Sequence, residues 1–256
     1  MRACALSSGS SGNCFYVEKG ESAILVDAGI SAKKIAERMS ALSLNPEKIK
    51  AIFVTHEHSD HIKGIDVLAR RFEIPIFATK GTISNGFLCL NAGMINEIGN
   101  GEITRVGELE IEAFVKSHKA ADPVSYTVSD NKKTASVITD LGYSCKNANE
   151  SISRADLLFL ESNHDIKMLE NGPYPYFLKK WITSDSGHLS NAQAGLAVLE
   201  NSSKRMKNVV LSHISRTNNS PQVALRTFKR LLKERSDFTA SVSVSLENGP
   251  TELFSI

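Results

Sequence analysis

The stretch Phe53-Val-Thr-His-Glu-His-Ser-Asp-His61 concentrates side chains that bind divalent metals. Three of the seven histidines, His56, His58 and His61, fall within six residues, and Asp60 sits among them. Imidazole and carboxylate at that density have no packing role, and a solvated polar loop explains them poorly. Two imidazoles at i and i+2 at the end of a strand can converge on one ion. Asp60 and His61 then turn away and can hold a second.

The flanking residues say how such a cluster is positioned. The apolar run Ala51–Val54 reads as a buried strand leading in. A helical pattern leads out, with Ile62, Ile65, Leu68 and Ala69 on one face. Other chemistry-bearing residues also follow predicted strands. His118 follows the alternating strand Leu109–Val115 and precedes the turn Lys119–Pro123. Asp140 ends the strand Thr134–Thr139, and His164 follows the apolar strand Asp156–Leu160 in Glu161-Ser-Asn-His-Asp165. His213 follows the strand Asn208–Leu211. Taken singly, each has a plain reading: a surface or core histidine, a turn-forming aspartate before Gly142, or, for His164, a helix cap. His188 lies in Ser186–Asn191, just before a helix that Ser190 caps and that runs to about Leu199. Free N–H groups at that helix start, at Ser190 and Asn191, suit a phosphate. His188 beside it can donate a proton to a leaving oxygen, or can belong to a simple capping loop.

The remaining chain alternates strands and helices. Strands are expected at 2–6, Cys14–Glu18 and Ala23–Val26, and a helix from Ser31 to about Leu44, stopped by Asn45-Pro46. The small-residue loop Ser7–Asn13 is either a flexible connection or a place where backbone N–H groups approach a ligand. One helix is expected from the metal loop to Phe72, then a strand at Pro75–Ala78, a helix over Thr82–Leu90, and a loop or weak strand over Asn91–Gly107. A hairpin joins Ser125–Ser129 to Thr134–Thr139, and Glu150–Ala155 is helical. The aromatic, turn-rich run Asn171–Phe177 is a lid or a stacking platform for bases, with packing against the body the favoured reading. A last helix runs from Ser220-Pro221 to about Arg235, with Arg226, Lys229, Arg230 and Lys233 on its outer face. Strands near Phe238–Val244 and Thr251–Phe254 close the chain.

Composition bounds what this chemistry can serve. The 256 residues make one large domain or two small ones, and 41% hydrophobic residues suffice for a sizeable core. A net charge of +2 excludes a molecule that binds polyanions over its whole surface, so any nucleic-acid contact is a local patch. Cys4, Cys14, Cys89 and Cys145 are scattered, form no CxxC pair, and point to a reducing, cytoplasmic setting. The N-terminus does not read as a signal peptide, and no apolar run approaches the ~20 residues of a membrane span.

The pattern His-x-His-x-Asp-His resembles the signature of the metallo-β-lactamase superfamily. The resemblance implies an α+β fold, a four-layer αββα sandwich in one domain over residues 1–256. It implies two divalent ions, zinc or manganese with iron possible. His56, His58 and His118 would hold one, Asp60, His61 and His213 the other, and Asp140 would bridge. Asp27, in Asp27-Ala-Gly29, would support the histidine loop from behind. Two such ions hold a water and lower its pKa toward ~7, giving a hydroxide that attacks carbon or phosphorus, with Asp60 orienting it. The motifs Ser7–Asn13, Thr139-Asp-Leu-Gly142, Glu161-Ser-Asn-His-Asp165, Gly187-His-Leu-Ser-Asn191 and Leu211-Ser-His213 look similar to the bacterial WalJ/YycJ-type branch. That likeness implies a phosphodiesterase or nuclease, 5′-to-3′ exonuclease-like, acting on DNA, with His188 as phosphate-binding residue or general acid. Two other classes stay open: a hydrolase of a small phosphodiester, thioester or lactam, and a non-catalytic metal-stabilised binding protein. The complete ligand set argues against the last.

Overall fold

A computed structural model describes residues 1–86 and 92–256. The first half of the chain supplies strands β1 (Arg2–Ser7), β2 (Cys14–Lys19), β3 (Ser22–Val26), β4 (Ile49–Phe53), β5 (Ile76–Ala78) and β6 (Ile95–Glu97). The second half supplies β7 (Ile103–Val106), β8 (Leu109–Val115), β9 (Val124–Ser129), β10 (Thr134–Ile138), β11 (Leu157–Glu161), β12 (Asn208–Ser212) and β13 (Ser241–Val244). A last strand, β14 (Phe254–Ser255), returns to lie beside β1. Among the described residues these form two seven-stranded sheets, ordered β14-β1-β2-β3-β4-β5-β6 and β13-β12-β11-β10-β9-β8-β7.

Both sheets are buried on both faces, so their central strands read as continuous apolar runs rather than as clean alternations. Successive side chains still point to opposite faces. In β11, Leu157 and Phe159 enter the core between the sheets, while Leu158 and Leu160 face helices. In β2, Phe15 and Val17 face inward, and Cys14 and Tyr16 face out. Outside the first sheet lie α1 (Ala32–Ala41), α2 (Ser59–Ile62) and α3 (Ile65–Phe72), which bury Ile35, Met39, Ile65 and Leu68. The short helix α4 (Lys80–Asn85) follows β5. Outside the second sheet, α5 (Lys146–Arg154), α8 (Asn191–Asn201) and α9 (Pro221–Leu232) bury Ile152, Val198 and Phe228. The helices α6 (Ile166–Asn171) and α7 (Tyr176–Ile182) sit in the connection from β11 to α8. The layers are therefore helix, sheet, sheet, helix, with three apolar cores between them. No helix among the described residues is long and apolar enough to cross a membrane.

Several boundaries differ from the sequence expectation. The helix from Ser31 ends at Ala41, because the chain turns left-handed at Ser43 (φ 55°) before Asn45-Pro46 is reached. The expected helix to Phe72 is two helices, broken at Gly64, whose α-carbon packs against the Ile30 carbonyl. The helix before β11 starts at Lys146 rather than Glu150, and β11 runs through Glu161, which buries that carboxylate. The expected helix over Thr82–Leu90 is α4, ending at Asn85; the part over 87–90 lies outside the described residues. Within Asn91–Gly107 the two short strands β6 and β7 form. In the aromatic run Tyr174 is half-buried, but Tyr176 and Phe177 are 80% and 74% exposed. They open α7 on its outer side, where helix geometry rather than burial holds them.

Most chemistry-bearing residues of the sequence motifs leave one edge of the two sheets, and His188 comes from the connection between α7 and α8. β3, β4, β8, β10, β11 and β12 all deliver such residues from their carboxyl ends, which is where open α/β sheets bind ligands. One close approach holds that edge together. A Cβ at Gly29 would lie 1.6 Å from the Asp60 carbonyl oxygen and 2.7 Å from the Asn13 nitrogen. Gly29→Ala is therefore expected to destabilise the fold by about 1–3 kcal/mol, the usual range for overpacking. Gly249→Ala, with open space around its α-carbon, is expected to stay within ~0.5 kcal/mol of wild type. Urea unfolding of the two variants checks this, and equal midpoints would refute it.

Candidate metal centre

The site is built on a carboxylate that touches no ligand position from the front. Asp27 follows β3 in a left-handed conformation (φ 60°) and is fully buried. Its carboxylate accepts from the Thr55 amide at 2.8 Å and the Thr55 hydroxyl at 2.9 Å, and lies 2.7 Å from His61 Nδ1. The Thr55 hydroxyl is in turn 2.9 Å from His56 Nδ1. Both rings thus have Nδ1 engaged from behind and Nε2 turned to the cleft, the arrangement that fixes the tautomer of a ligating histidine. His56 Nε2 lies 3.0 Å from His58 Nδ1.

The second sheet brings the remaining residues. His118, after β8, donates from Nδ1 to the Gly187 carbonyl at 3.1 Å. Ligand atoms of His56, His58 and His118 lie within 4.8 Å of one another. Asp140, after β10, is left-handed (φ 54°) and reaches between the sheets. Its Oδ2 is 3.1 Å from His61 Nε2, and its Oδ1 is 3.0 Å from His213 Nδ1. Asp60 Oδ2 stands 3.4 Å from His61 Nε2 and 3.9 Å from His213 Nε2. Six of the seven histidines, His56, His58, His61, His118, His188 and His213, gather in this one cleft.

Sequence reasoning gave no role to three residues that the fold brings in. Glu161 is fully buried at the end of β11. Its Oε2 accepts from the Leu141 and Leu189 amides at 2.8 and 3.0 Å, and its Oε1 lies 2.8 Å from His188 Nδ1 and 3.3 Å from His213 Nδ1. The signal was present: an acidic residue ends an apolar strand three positions before His164. Lys116 is buried and donates to the Thr139 carbonyl at 2.7 Å, placing a cation behind Asp140. Asn13 ends the small-residue loop and joins the sheets. The His213 amide donates to Ser8 Oγ (2.9 Å), Ser8 Oγ to Asn13 Oδ1 (3.0 Å), and Asn13 Nδ2 to Asp60 Oδ2 (3.3 Å).

Other predicted residues stand further back. His164 is buried and pairs through its backbone with Ser190, whose neighbour Asn191 donates its amide to the His164 carbonyl at 2.8 Å. Asp165, not His164, caps α6. Ser190 closes a capping box with Gln193, and the Asn191 side chain is engaged by Ser162 and Asn219. Both are buried, so the α8 start is occupied by the protein's own side chains.

The electrostatics of the cluster are set by burial and by its own carboxylates. Burial pushes His56 well below its ordinary range and His118 down to about 4. Burial also acts on His61 and His213, but the surrounding carboxylates outweigh it. Asp27, Asp60 and Asp140 raise His61 well above the usual range, and Asp140 raises His213 to about 10. Burial opposes the charge on Asp140 and Glu161 too. His213 and His61 nevertheless hold Asp140 well below the carboxylate range, and His188 holds Glu161 at about 2.

His118 Nε2, Asp140 Oδ2 and His213 Nδ1 are buried with no hydrogen bond, although the last two have close neighbours. Lone pairs at short range without hydrogen-bond geometry are what imidazole and carboxylate ligands present to a cation. The donor set fits, and the cluster binds divalent metal.

Three outcomes are expected. Chelation should lower Tm, and zinc should restore it. An ion at a hundred times its Kd contributes about 2.7 kcal/mol, or roughly 5–10 °C for a chain of this size. Zinc affinity of the metal-free protein should rise with pH between about pH 6 and 9. The raised His61 and His213 hold protons below their folded pKa values, and an ion must displace them. Calorimetry in buffers of different ionisation enthalpy reads that proton release, and a pH-independent affinity would refute it. Asn13→Ala should weaken metal binding by about 10–100-fold, the usual loss for a residue that orients a ligand. Competition with a chromogenic chelator measures this, and wild-type affinity would count against the Asn13 link.

Comparison with known proteins agrees with the geometry. Residues 22–214 match the family model described as Beta-lactamase superfamily domain. The chain is 37% identical to Exodeoxyribonuclease YycJ of Bacillus anthracis, with 90% of this chain and 88% of that protein covered. It is 36% identical to Exodeoxyribonuclease WalJ of Streptococcus pneumoniae serotype 2 (strain D39), covering 90% of this chain and 87% of that one. The fold is shared with the metallo-beta-lactamase fold protein YhfI of Bacillus subtilis at a TM-score of 0.74 and 16% identity, over 98% of both chains. With the sheets, the ligand cluster and these likenesses in agreement, the chain belongs to the metallo-β-lactamase superfamily, alongside the YycJ and WalJ proteins.

Proposed function

We propose that the chain is a di-metal phosphodiesterase, one domain over residues 1–256, that hydrolyses DNA from an end. In this reading His56, His58 and His118 hold one ion, Asp60, His61 and His213 hold the other, and Asp140 lies between them. Zinc suits the imidazole-rich set, and the carboxylates also admit manganese. Divalent ions bound there supply Lewis acidity, which acidifies water and neutralises charge that develops on a phosphate.

The observation that carries the phosphodiester reading is His188. Its Nδ1 is held at 2.8 Å by Glu161, and it stands 3.7 Å from Asp140 at the rim of the ligand cluster. Glu161 fixes the ring, so proton transfer runs through Nε2. A sugar alkoxide is a poor leaving group and needs a proton as its bond to phosphorus breaks. A thiolate leaves without that help, so a fixed ring here has little use in a thioesterase. Asp60, partly open to the cleft and tied to Asn13, orients the attacking water. Similarity over nearly the full length to two proteins named exodeoxyribonucleases supports DNA as the substrate.

His188→Ala is expected to lower turnover of end-labelled DNA by about 10²–10⁴-fold, the range for loss of a general acid, and to affect bis(p-nitrophenyl) phosphate far less, because p-nitrophenolate leaves without a proton. Metal content should be unchanged. Asp60→Ala should lose both activities. Rates with zinc or manganese, read beside metal analysis, test this. A metal-loaded wild type that turns over neither substrate would overturn the proposal.

A further inference from the structure

Among the described residues, the most exposed large apolar side chains open the helix that also reaches the ligand cluster. Tyr176 and Phe177 open α7 and are 80% and 74% exposed. The same helix carries Trp181, whose ring centre lies 5.4 Å from that of His188 and 6.4 Å from that of His118. Phe177 and Trp181 are four residues apart, so they share a helix face. A rise of ~1.5 Å per residue puts Phe177 about 6 Å from Trp181 along the axis. That is close to two rises of ~3.4 Å in stacked nucleic acid.

Tyr176 also borders a groove of about 360 Å³ with Ile166, Glu170, Lys179 and Lys180. Lys180 is exposed, and Lys179 donates to the Glu170 carbonyl at 2.7 Å, leaving its charge at the surface. Aromatic faces interleaved with lysines on one short helix match what holds a nucleic-acid strand: base stacking plus backbone attraction. With a net charge of only +2, the chain needs such a local patch to hold a polyanion.

We propose that α7 is the docking platform for the DNA strand end, with Tyr176 and Phe177 stacking on the bases one to two nucleotides from the reacting phosphate. This rests on the phosphodiesterase reading and adds the path of the substrate. Lys179 and Lys180 attract the backbone. Trp181 anchors the helix against His188 and His118 and so sets the distance from platform to chemistry.

The test uses the metal-loaded full chain and a phosphorothioate oligonucleotide with 2-aminopurine at its terminal positions. A double substitution, Tyr176→Ala with Phe177→Ala, should weaken oligonucleotide binding at least tenfold and lose the quenching of 2-aminopurine. Turnover of bis(p-nitrophenyl) phosphate should stay at the wild-type level. Tyr176→Trp with Phe177→Trp should retain binding, and Tyr176→Leu with Phe177→Leu should not, because stacking needs a π-face. A double alanine variant that binds and degrades DNA as wild type does would overturn the platform while leaving the phosphodiesterase reading intact. A wild type that dimerises through this surface, becoming monomeric in the alanine variant with DNA binding unchanged, would also overturn it. A wild type that turns over neither the small diester nor DNA would instead overturn the reading beneath it.

Discussion

The site depends on one buried contact, the Asp27 carboxylate under Thr55 and His61. A carboxylate removed from water costs several kcal/mol unless its lone pairs are filled. Here they are filled by a backbone amide, a hydroxyl and an imidazole, all from the segment that follows β4. The contact therefore does two things at once. It pins the histidine loop to the end of β3, and it decides which nitrogen of His61, and through Thr55 of His56, faces the cleft. The rest of the ligand set is useful only because these two rings are fixed.

The opposite half is organised around a second buried carboxylate with the same logic. Glu161 spends one oxygen on the Leu141 and Leu189 amides, which belong to the segments carrying Asp140 and His188. It spends the other on His188 and His213. Each sheet thus carries its own acidic strut behind its own histidines. The halves are joined by the run from His213 through Ser8 and Asn13 to Asp60. Two struts and a cross-link leave an Asp140 oxygen between the halves without a hydrogen bond. The concentration of buried charge is unfavourable by itself, and a cation is the partner that relieves it.

What lies outside this frame differs in kind. The inner site is closed by hydrogen bonds that admit little change, down to the Gly29 approach on Asp60. The outer wall is a short helix with exposed rings and lysines, tied to the site through Trp181. The proposed platform would thus place substrate contact on an exposed helix and the chemistry on the buried frame, as binding segments on rigid scaffolds generally do.

The sequence by itself named the candidate ligands. His56, His58, Asp60 and His61 are dense enough to announce a metal, and His118, Asp140 and His213 each follow a strand-like run. The layered fold followed from the family resemblance that this motif carries, and the strand-rich pattern with interspersed helices agreed with it. Local patterns erred where distant contacts decide: Ser43 ending α1, Gly64 breaking a helix against Ile30, and the exposed run at Tyr176 and Phe177. The tertiary structure brought in Glu161, Lys116 and Asn13, of which Glu161 alone left a sequence signal. Each is an ordinary polar residue in its own segment, separated by 27, 23 and 47 positions from the His188, Thr139 and Asp60 it contacts. A ligand advertises itself by its own chemistry and its near neighbours. A strut is recognisable only by what it touches, and that is settled when the two sheets pack face to face.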